Sequence, residues 1–385
     1  MRIAYILTSL AVGGAERQVV WLAQHMARSG HTIQLVVLLP RGEGDWEVQS
    51  GPATTQSAIE VVYLGMRKSP WHALQGLRRG ASALRRFRPD VLHTHNFHGN
   101  LAGRLLGLLC RVPVVSTIHN VYEGGWRRML AYRFTDTLSR RTIAVSDAAR
   151  ERYVRLRAVA AHKAGVIANG IETAEFAPDP VRRNATREAM GVTKKDFVWI
   201  TVGRLAPAKD HPNLLRAFAL VLEACAEAPL WMVGRPLDAR LWIVGSGEPS
   251  YTNELRALTR QLGITARVRW LGPRRDIAAL LDAADGFVLS SAWEGMPLAL
   301  GEAMAMGKLV VATDVGGVRE MMGDTGGLVR AGDSGLLAEM MGRTMALSDK
   351  DKARIGSAAR ARVLERFSME AKTREWEEVY RSVQS

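Results

Sequence analysis

Short apolar runs alternate with longer segments of helical period along almost the whole of this chain. The runs lie at 3–7, 33–39, 61–64, 91–95, 114–118 and 142–145, and helices are expected at 15–29, 71–87, 99–110 and 126–139 between them. Strands linked through helices lie parallel, and a parallel sheet is covered on both faces. The alternation pauses over 172–196, ETAEFAPDPVRRNATREAMGVTKKD, which is polar, contains proline and lacks an apolar run, as a linker would. It then restarts, with strands expected at 197–202, 241–244, 268–270, 286–289 and 309–312 and helices at 211–226, 251–262 and 297–306. A chain of 385 residues is long enough for two domains. The expected division is 1–175, a linker at 176–196, a second α/β domain at 197–362 and a terminal helix at 363–385, with 350–384 helical throughout. LWMVG at 230–234 recurs as LWIVG at 241–245. The second copy is the expected strand, because Gly245-Ser246-Gly247 follows it as a strand-end loop would.

The remaining composition narrows the class. No stretch approaches the roughly 20 uninterrupted apolar residues of a membrane span, and the most apolar region, 101–118, is broken by Arg104, Arg111 and Pro113. The opening MRIAYILTSLAVGGAE has the outline of a secretion signal, but its weakly continuous run reads better as a buried first strand leading through a glycine turn into a helix. Cys110 and Cys225 are far apart in sequence, which argues against a disulfide framework or a cysteine metal site and fits a reducing, cytoplasmic compartment. The net charge is +14, and residues 1–180 hold 23 Lys and Arg against 13 Asp and Glu. Arg67, Lys68, Arg78, Arg79, Arg85, Arg86 and Arg88 form one basic cluster; Arg127, Arg128, Arg133, Arg140, Arg141, Arg150, Arg152, Arg155 and Arg157 form another. Such a surface attracts nucleic acid, acidic lipid or phosphorylated substrate, or is a solvated arginine-rich face.

Four places carry candidate chemistry. Gly13 and Gly14 close the first strand where a helix opens, a place that lets backbone approach an anion or else makes a tight turn. Gly203-Arg204 and Lys209-Asp210 follow the first strand of the second half; a guanidinium and an ammonium at a strand's carboxyl end can clamp a diphosphate, or taken alone are two surface cations. In WEGMPLALGE, Pro297 suits the first helical position, placing Glu294 in the preceding loop and Glu302 one and a half turns inside. Glu294 and the N–H groups around Gly295, Met296, Pro297 and Leu298 then suit sugar hydroxyls, and Glu302 suits a ribose. The alternatives are a plain cap with a surface acid, or an acid pair of a glycosidase. VLHTHNFHGN holds His93, His95 and His98, with His93 and His95 on one strand face; lacking a carboxylate triad it is a poor zinc site. His119, after another strand, is the better candidate for polar contact with substrate. Asp349 and Asp351 in SDKDK read as a helix cap.

Together these pieces resemble glycosyltransferase family 4 over nearly the whole chain. They comprise GGAE at 13–16, DVLHTHN at 90–96, NGI at 169–171, GRLAPAKD at 203–210, VGSGE at 244–248 and EGMPLALGEAMAMGKLVVATDVGG at 294–317. The resemblance implies the GT-B fold: two Rossmann-like α/β domains whose parallel sheets face across a cleft, with the C-terminal helix packing back on the first domain. It implies retaining transfer of a sugar from a nucleotide diphosphate, with UDP favoured, and no metal or other cofactor. By carry-over, Arg204 and Lys209 neutralise the diphosphate and Glu302 holds the ribose. Glu294 and the 295–298 backbone position the sugar, His119 contacts it, and Gly14 beside Gly13 approaches the diphosphate. Gly203, Gly245 and Gly247 shape the donor loops, and Arg274 of LGPRR borders the base. His95, Asn96, His119 and Asn120 are candidates for the acceptor side. The expected acceptor is a glycan or a polyprenyl-diphosphate sugar in polysaccharide synthesis. The basic first half adds an anionic membrane surface as a partner and a peripheral place on the inner face of the membrane.

Other readings remain in view: a sugar-nucleotide epimerase of the same fold, or a nucleic-acid-binding protein. The arginine clusters lack the aromatic interleaving and motif that nucleic-acid binding would show, so none is expected. No obligate protein partner is indicated.

Overall fold

Five of the six side chains of RIAYIL (β1, Arg2–Leu7) are buried, because the strand is covered on both sides. The computed structural model describes residues 1–11, 13–42, 45, 59–193, 195–227 and 238–384. They form two units, Met1–Gly170 with Ser368–Ser385, and Ile171–Phe367.

In the first unit β1 is joined by β2 (Thr32–Val37), β3 (Glu60–Tyr63), β4 (Val91–His95), β5 (Val114–Ile118), β6 (Arg141–Ala144) and β7 (Ala164–Val166). All pair in parallel, in the order β3-β2-β1-β4-β5-β6-β7. The order reverses at β1 and β4, so their carboxyl ends open the crevice in which ligands of such sheets bind. Helices Pro70–Phe87 and Asn96–Cys110 cover one face, burying Leu84, Phe87 and Leu106 against Ile6, Leu92 and Val114. Helix Met369–Gln384 belongs to this unit, packing on helix Gly14–Arg28 and on β4 and β5. Its Trp376 and Tyr380 are buried, and Glu377 Oε1 lies 3.0 Å from His31 Nε2. The three residues of β7 are too short a run for the sequence to show.

The second unit repeats the plan. β8 (Asp196–Val202), β9 (Asp238–Val244), β10 (Val268–Gly272), β11 (Gly286–Leu289), β12 (Leu309–Thr313) and β13 (Gly327–Val329) form a sheet in the order β10-β9-β8-β11-β12-β13. Its switch point lies at β8 and β11. Trp199, Phe218, Leu241, Val288, Val311 and Met341 fill one face. Of the two similar segments, 241–245 runs along β9 to its end, whereas 230–234 lies outside the described residues.

Two expectations change. The stretch 176–196 is not a connecting linker: helix Pro180–Ala189 lies within it and packs on helix Ile277–Ala283 inside the second unit. It looked like a linker because arginines, not apolar side chains, bind it. Arg183 donates to the carbonyls of Asp282 (2.5 Å) and Ala284 (2.7 Å) and to Asp285 Oδ1 (2.5 Å). Arg187 donates to the carbonyls of Ala283 (2.8 Å), Thr193 (2.6 Å) and Asp196 (2.9 Å). The terminal helical segment is likewise two helices, Asp349–Arg366 and Met369–Gln384, broken at Phe367 and Ser368 where the chain leaves one unit for the other. Ser348 caps the first by accepting the N–H of Asp351 at 3.1 Å, so SDKDK is the surface cap expected of it.

Candidate functional site

The two switch points gather the candidate residues into two groups, one in each unit. In the second unit the loop after β8 carries Gly203, an exposed Arg204 and, on a short 3-10 turn (Pro207–Lys209), Lys209. Lys209 Nζ donates to Glu294 Oε1 at 2.5 Å, and Ser291 Oγ donates to the same oxygen at 2.6 Å. The backbone ties the two loops as well: Ala292 N–H reaches the Ala208 carbonyl at 2.9 Å, and Ser290 Oγ reaches that of Lys209 at 2.8 Å. Arg204 makes no ion pair among the described residues. An ammonium held by an acid and an exposed guanidinium thus stand at one strand-end crevice.

Glycine makes this crowding possible. A Cβ on Gly245 would overlap the carbonyl oxygen of Gly203, and one on Gly247 that of Leu205. Gly245 also holds a φ of +137°, which side chains rarely adopt. The loops after β8 and β9 are stitched by Gly203 N–H to Val244 O (3.0 Å) and Leu205 N–H to Ser246 O (2.9 Å). Gly245 N–H then reaches Gly272 O (2.9 Å), bringing in the loop after β10, where Arg274 is exposed and held by Asp276 (2.8 Å).

The acids of WEGMPLALGE separate in role. Glu294 is no cap: the helix is Leu298–Ala305, its N-cap is Pro297 with no side-chain cap bond, and the Glu294 carboxylate turns to Lys209 and Ser291. Pro297 therefore precedes the first helical position expected for it. Glu302 is not a surface acid; its exposure is 0%. Gly295, Met296, Pro297 and Leu298 are all buried. The loop after β12 clamps them: Gly317 N–H donates to Gly295 O at 2.8 Å, and Gly316, at φ +54°, leaves room that a Cβ would take from the Glu294 carbonyl.

In the first unit Gly13 is the extended N-cap of helix Gly14–Arg28, and the Glu16 carboxylate folds over it. Glu16 Oε1 also accepts from Asn96 Nδ2 at 3.3 Å, joining the ends of β1 and β4. Asn96 holds a left-handed φ of 62° as the chain turns from β4 into its helix. His95 Nδ1 and His119 Nε2 are 3.0 Å apart, both rings buried, and Asn120 is exposed beside them. Neither His95 Nε2 nor His119 Nδ1 has a partner among the described residues. Behind them His93 Nδ1 meets Tyr380 Oη (2.7 Å) and Nε2 meets Thr117 Oγ1 (2.6 Å), while Tyr5 Oη lies 3.3 Å from Tyr380 Oη. The His93 and His95 rings lie tilted to one another at 42°, with centroids 4.0 Å apart. Burial holds all three imidazoles neutral: His119 is pushed down to about 4, and His93 and His95 well below the usual range. His98 stands apart on an exposed helix position.

Sequence reasoning missed the supports of this group. Tyr5 was visible only as a strand residue, and its register opposite His93 is a product of sheet pairing. Tyr380, 287 residues from His93, carried no local signal. Ser291 and Gly316 lay beside or inside a quoted motif without a role.

Comparison with known proteins agrees across both units. The family model described as glycosyltransferase family 4 matches residues 12–175, and that of glycosyl transferases group 1 matches 196–346. A UDP-Gal:α-D-GlcNAc-diphosphoundecaprenol α-1,3-galactosyltransferase of Escherichia coli is 31% identical over 305 residues, 74% of this chain and 76% of its own length. An α-maltose-1-phosphate synthase of Mycolicibacterium smegmatis is 31% identical over 326 residues, 76% of this chain and 79% of its own. Among solved structures, an Anabaena protein in complex with UDP and glucose superposes with a TM-score of 0.83 at 23% identity, covering 99% of this chain and 100% of that one. A glycosyltransferase from Rickettsia africae gives 0.82 at 21%, covering 99% and 98%. At such identities the two structures establish the shared fold.

Proposed function

The chain belongs to glycosyltransferase family 4 and is a hexosyltransferase, and from that premise we propose that it moves a sugar from a UDP-sugar to a polyprenyl-diphosphate-linked or glycan acceptor, with retained anomeric configuration, in polysaccharide synthesis. The observation that carries the proposal is the Lys209–Glu294 contact at the β8–β11 switch point, with Arg204 beside it. Departure of a nucleoside diphosphate concentrates negative charge on the leaving oxygen. Cations already in place stabilise that charge without reorganising. In this reading Lys209, aimed by Glu294 and Ser291, and Arg204 take up the charge, Glu302 holds the ribose and Arg274 borders the base. Glu294 and the backbone at Gly295 to Leu298 position the sugar. His119, neutral and with Nδ1 unpartnered among the described residues, is the candidate to hydrogen-bond a sugar hydroxyl. The two cations supply the positive charge, so turnover is proposed to need no metal.

The activity of the E. coli relative supports a UDP-hexose donor and a diphospholipid acceptor, and the Anabaena complex supports UDP. A lipid-linked acceptor places the protein peripherally on the cytoplasmic face of the membrane. Among the described residues no helix is long and apolar enough to cross a membrane. The test is a transfer assay with labelled UDP-hexoses and a synthetic prenyl-diphosphate sugar, in EDTA, followed by proton NMR of the new anomeric centre. An α-linked product from an α-donor is expected. A β-linked product, strict metal dependence or transfer from GDP-sugars alone would overturn the corresponding part.

A further inference from the structure

Helix Trp126–Thr135, WRRMLAYRFT, has an outward face that its own packing does not use. Tyr132 and Met129 turn inward: Tyr132 is buried and donates to Glu123 Oε2 at 2.6 Å, and Met129 packs with Ile118 and Tyr153. On the other side Trp126, Leu130 and Phe134, spaced four apart, make one ridge. Their exposures are 69%, 38% and 77%. Tyr122, just before the helix, is 52% exposed. The helix holds no acid, and Arg127 and Arg133 flank the ridge, both exposed. The Arg127 guanidinium lies 5.5 Å from the centroid of the Trp126 ring. From 122 to 157 there are nine arginines and four acids. Glu123 and Asp136 are buried and Asp147 is paired with Arg150 at 3.0 Å, which leaves Glu151 as the exposed exception.

We propose that the Trp126–Leu130–Phe134 ridge, with Arg127 and Arg133, is the surface by which this chain docks on a bilayer of anionic phospholipid. An aromatic and aliphatic ridge enters the boundary between headgroups and acyl chains while the guanidiniums stay with the phosphates. The arginine excess selects this occupant, because an apolar groove on a protein would match the ridge and leave the flanking cations unanswered. Trp126 follows His119 by seven residues, so the docking helix comes one loop after the strand that ends at Ile118. The inference stands on the ridge and its charge and does not depend on the acceptor being lipid-linked.

The test is co-sedimentation of the full chain with phosphatidylglycerol/phosphatidylethanolamine vesicles and with phosphatidylcholine vesicles. The chain is expected to sediment with the anionic vesicles only. Binding should weaken about tenfold or more in Trp126→Ser/Phe134→Ser and in Arg127→Gln/Arg133→Gln. Both variants should keep the wild-type circular dichroism, melting midpoint and UDP binding. Phe134→Ser alone, the most exposed position, serves if the double change disturbs folding. Failure of the wild type to bind anionic vesicles, equal binding to phosphatidylcholine, or undiminished binding by the ridge variants would each overturn the proposal. So would a lipid-free dimer that the ridge variants convert to monomer, since the ridge would then join two copies of this chain. A transferase that turns over soluble glycans yet fails to sediment sinks only the docking surface; a chain that sediments but transfers nothing sinks only the catalytic reading.

Discussion

Lys209 and Glu294 illustrate how a pair of charged residues acquires meaning from placement. Either alone is an unremarkable surface residue type, but their side chains are 22% and 11% exposed and share a 2.5 Å bond at a sheet's switch point. Lys209→Ala and Arg204→Ala should each lower turnover by roughly 10²–10³, the scale of losing one preorganised group that stabilises transition-state charge. Steady-state turnover near wild type in either variant would remove it from the mechanism. Lys209→Ala with Glu294→Ala should be far from additive, because the acid acts partly through the lysine. A calorimetric titration with UDP should show binding lost in Glu302→Ala.

The buried histidines make a separate prediction at the same scale. Burial lowers His119 from 6.5 to about 4, and burial beside Lys209 does the same for His211. Between those values the unfolded chain binds more protons than the folded one, so stability is full above pH 6.5 and falls as pH drops toward 4. From pH 6.5 to 5, above most carboxylate titration, each should cost about 1.5 kcal/mol. A urea midpoint that stays flat over that interval would show that these rings are protonated in the folded state.

Among elements, the loops at the second switch point depend on glycines rather than on side chains. Gly316→Ala adds a methyl against the Glu294 carbonyl at a φ of +54°. It should shift WEGMP, raising the KM for donor and lowering the melting midpoint by a few degrees, as about 1 kcal/mol does in a protein of this size. Gly191, also at positive φ but with open space around it, is the control, where Ala should leave donor KM untouched. Helix Pro180–Ala189 is held by arginines. Arg183→Met removes bonds to two carbonyls and to Asp285, leaving that acid less well paired, and should cost about 2–4 kcal/mol in denaturant unfolding. A cost near zero would mean that the helix is held by something other than its arginines.

At the scale of the whole molecule, the chain's order and its units do not coincide. The second unit is one continuous segment, Ile171–Phe367, whereas the first closes only with Ser368–Ser385. A fragment of 171–367 should fold by itself and show a cooperative melt. A fragment of 1–170 should not, because without Trp376 and Tyr380 the faces of Tyr5 and His93 lie bare. Adding the 368–385 peptide in trans should restore protection of β4 amides in hydrogen exchange. Equal protection with and without the peptide would show the terminal helix to be ornamental.

Much of this was legible in the chain. Short runs such as VVSTI at 114–118, set between segments of helical period, read as parallel strands, and a parallel sheet is covered on both faces. Their alternation with helices therefore determined two doubly wound sheets before any contact was known. GRLAPAKD and EGMPLALGE were equally plain, since backbone turns, helix starts and charged residues there are local in sequence. What the chain could not show was decided by long-range contact. VRRNATREA reads as a solvated linker until carbonyls 99 and 101 residues away accept the Arg183 guanidinium. His93 reads only as a poor zinc candidate until a tyrosine from the last helix meets its ring. Local pattern reports what a segment must hide from water, while the partner that satisfies a buried polar group is chosen only when distant segments pack together.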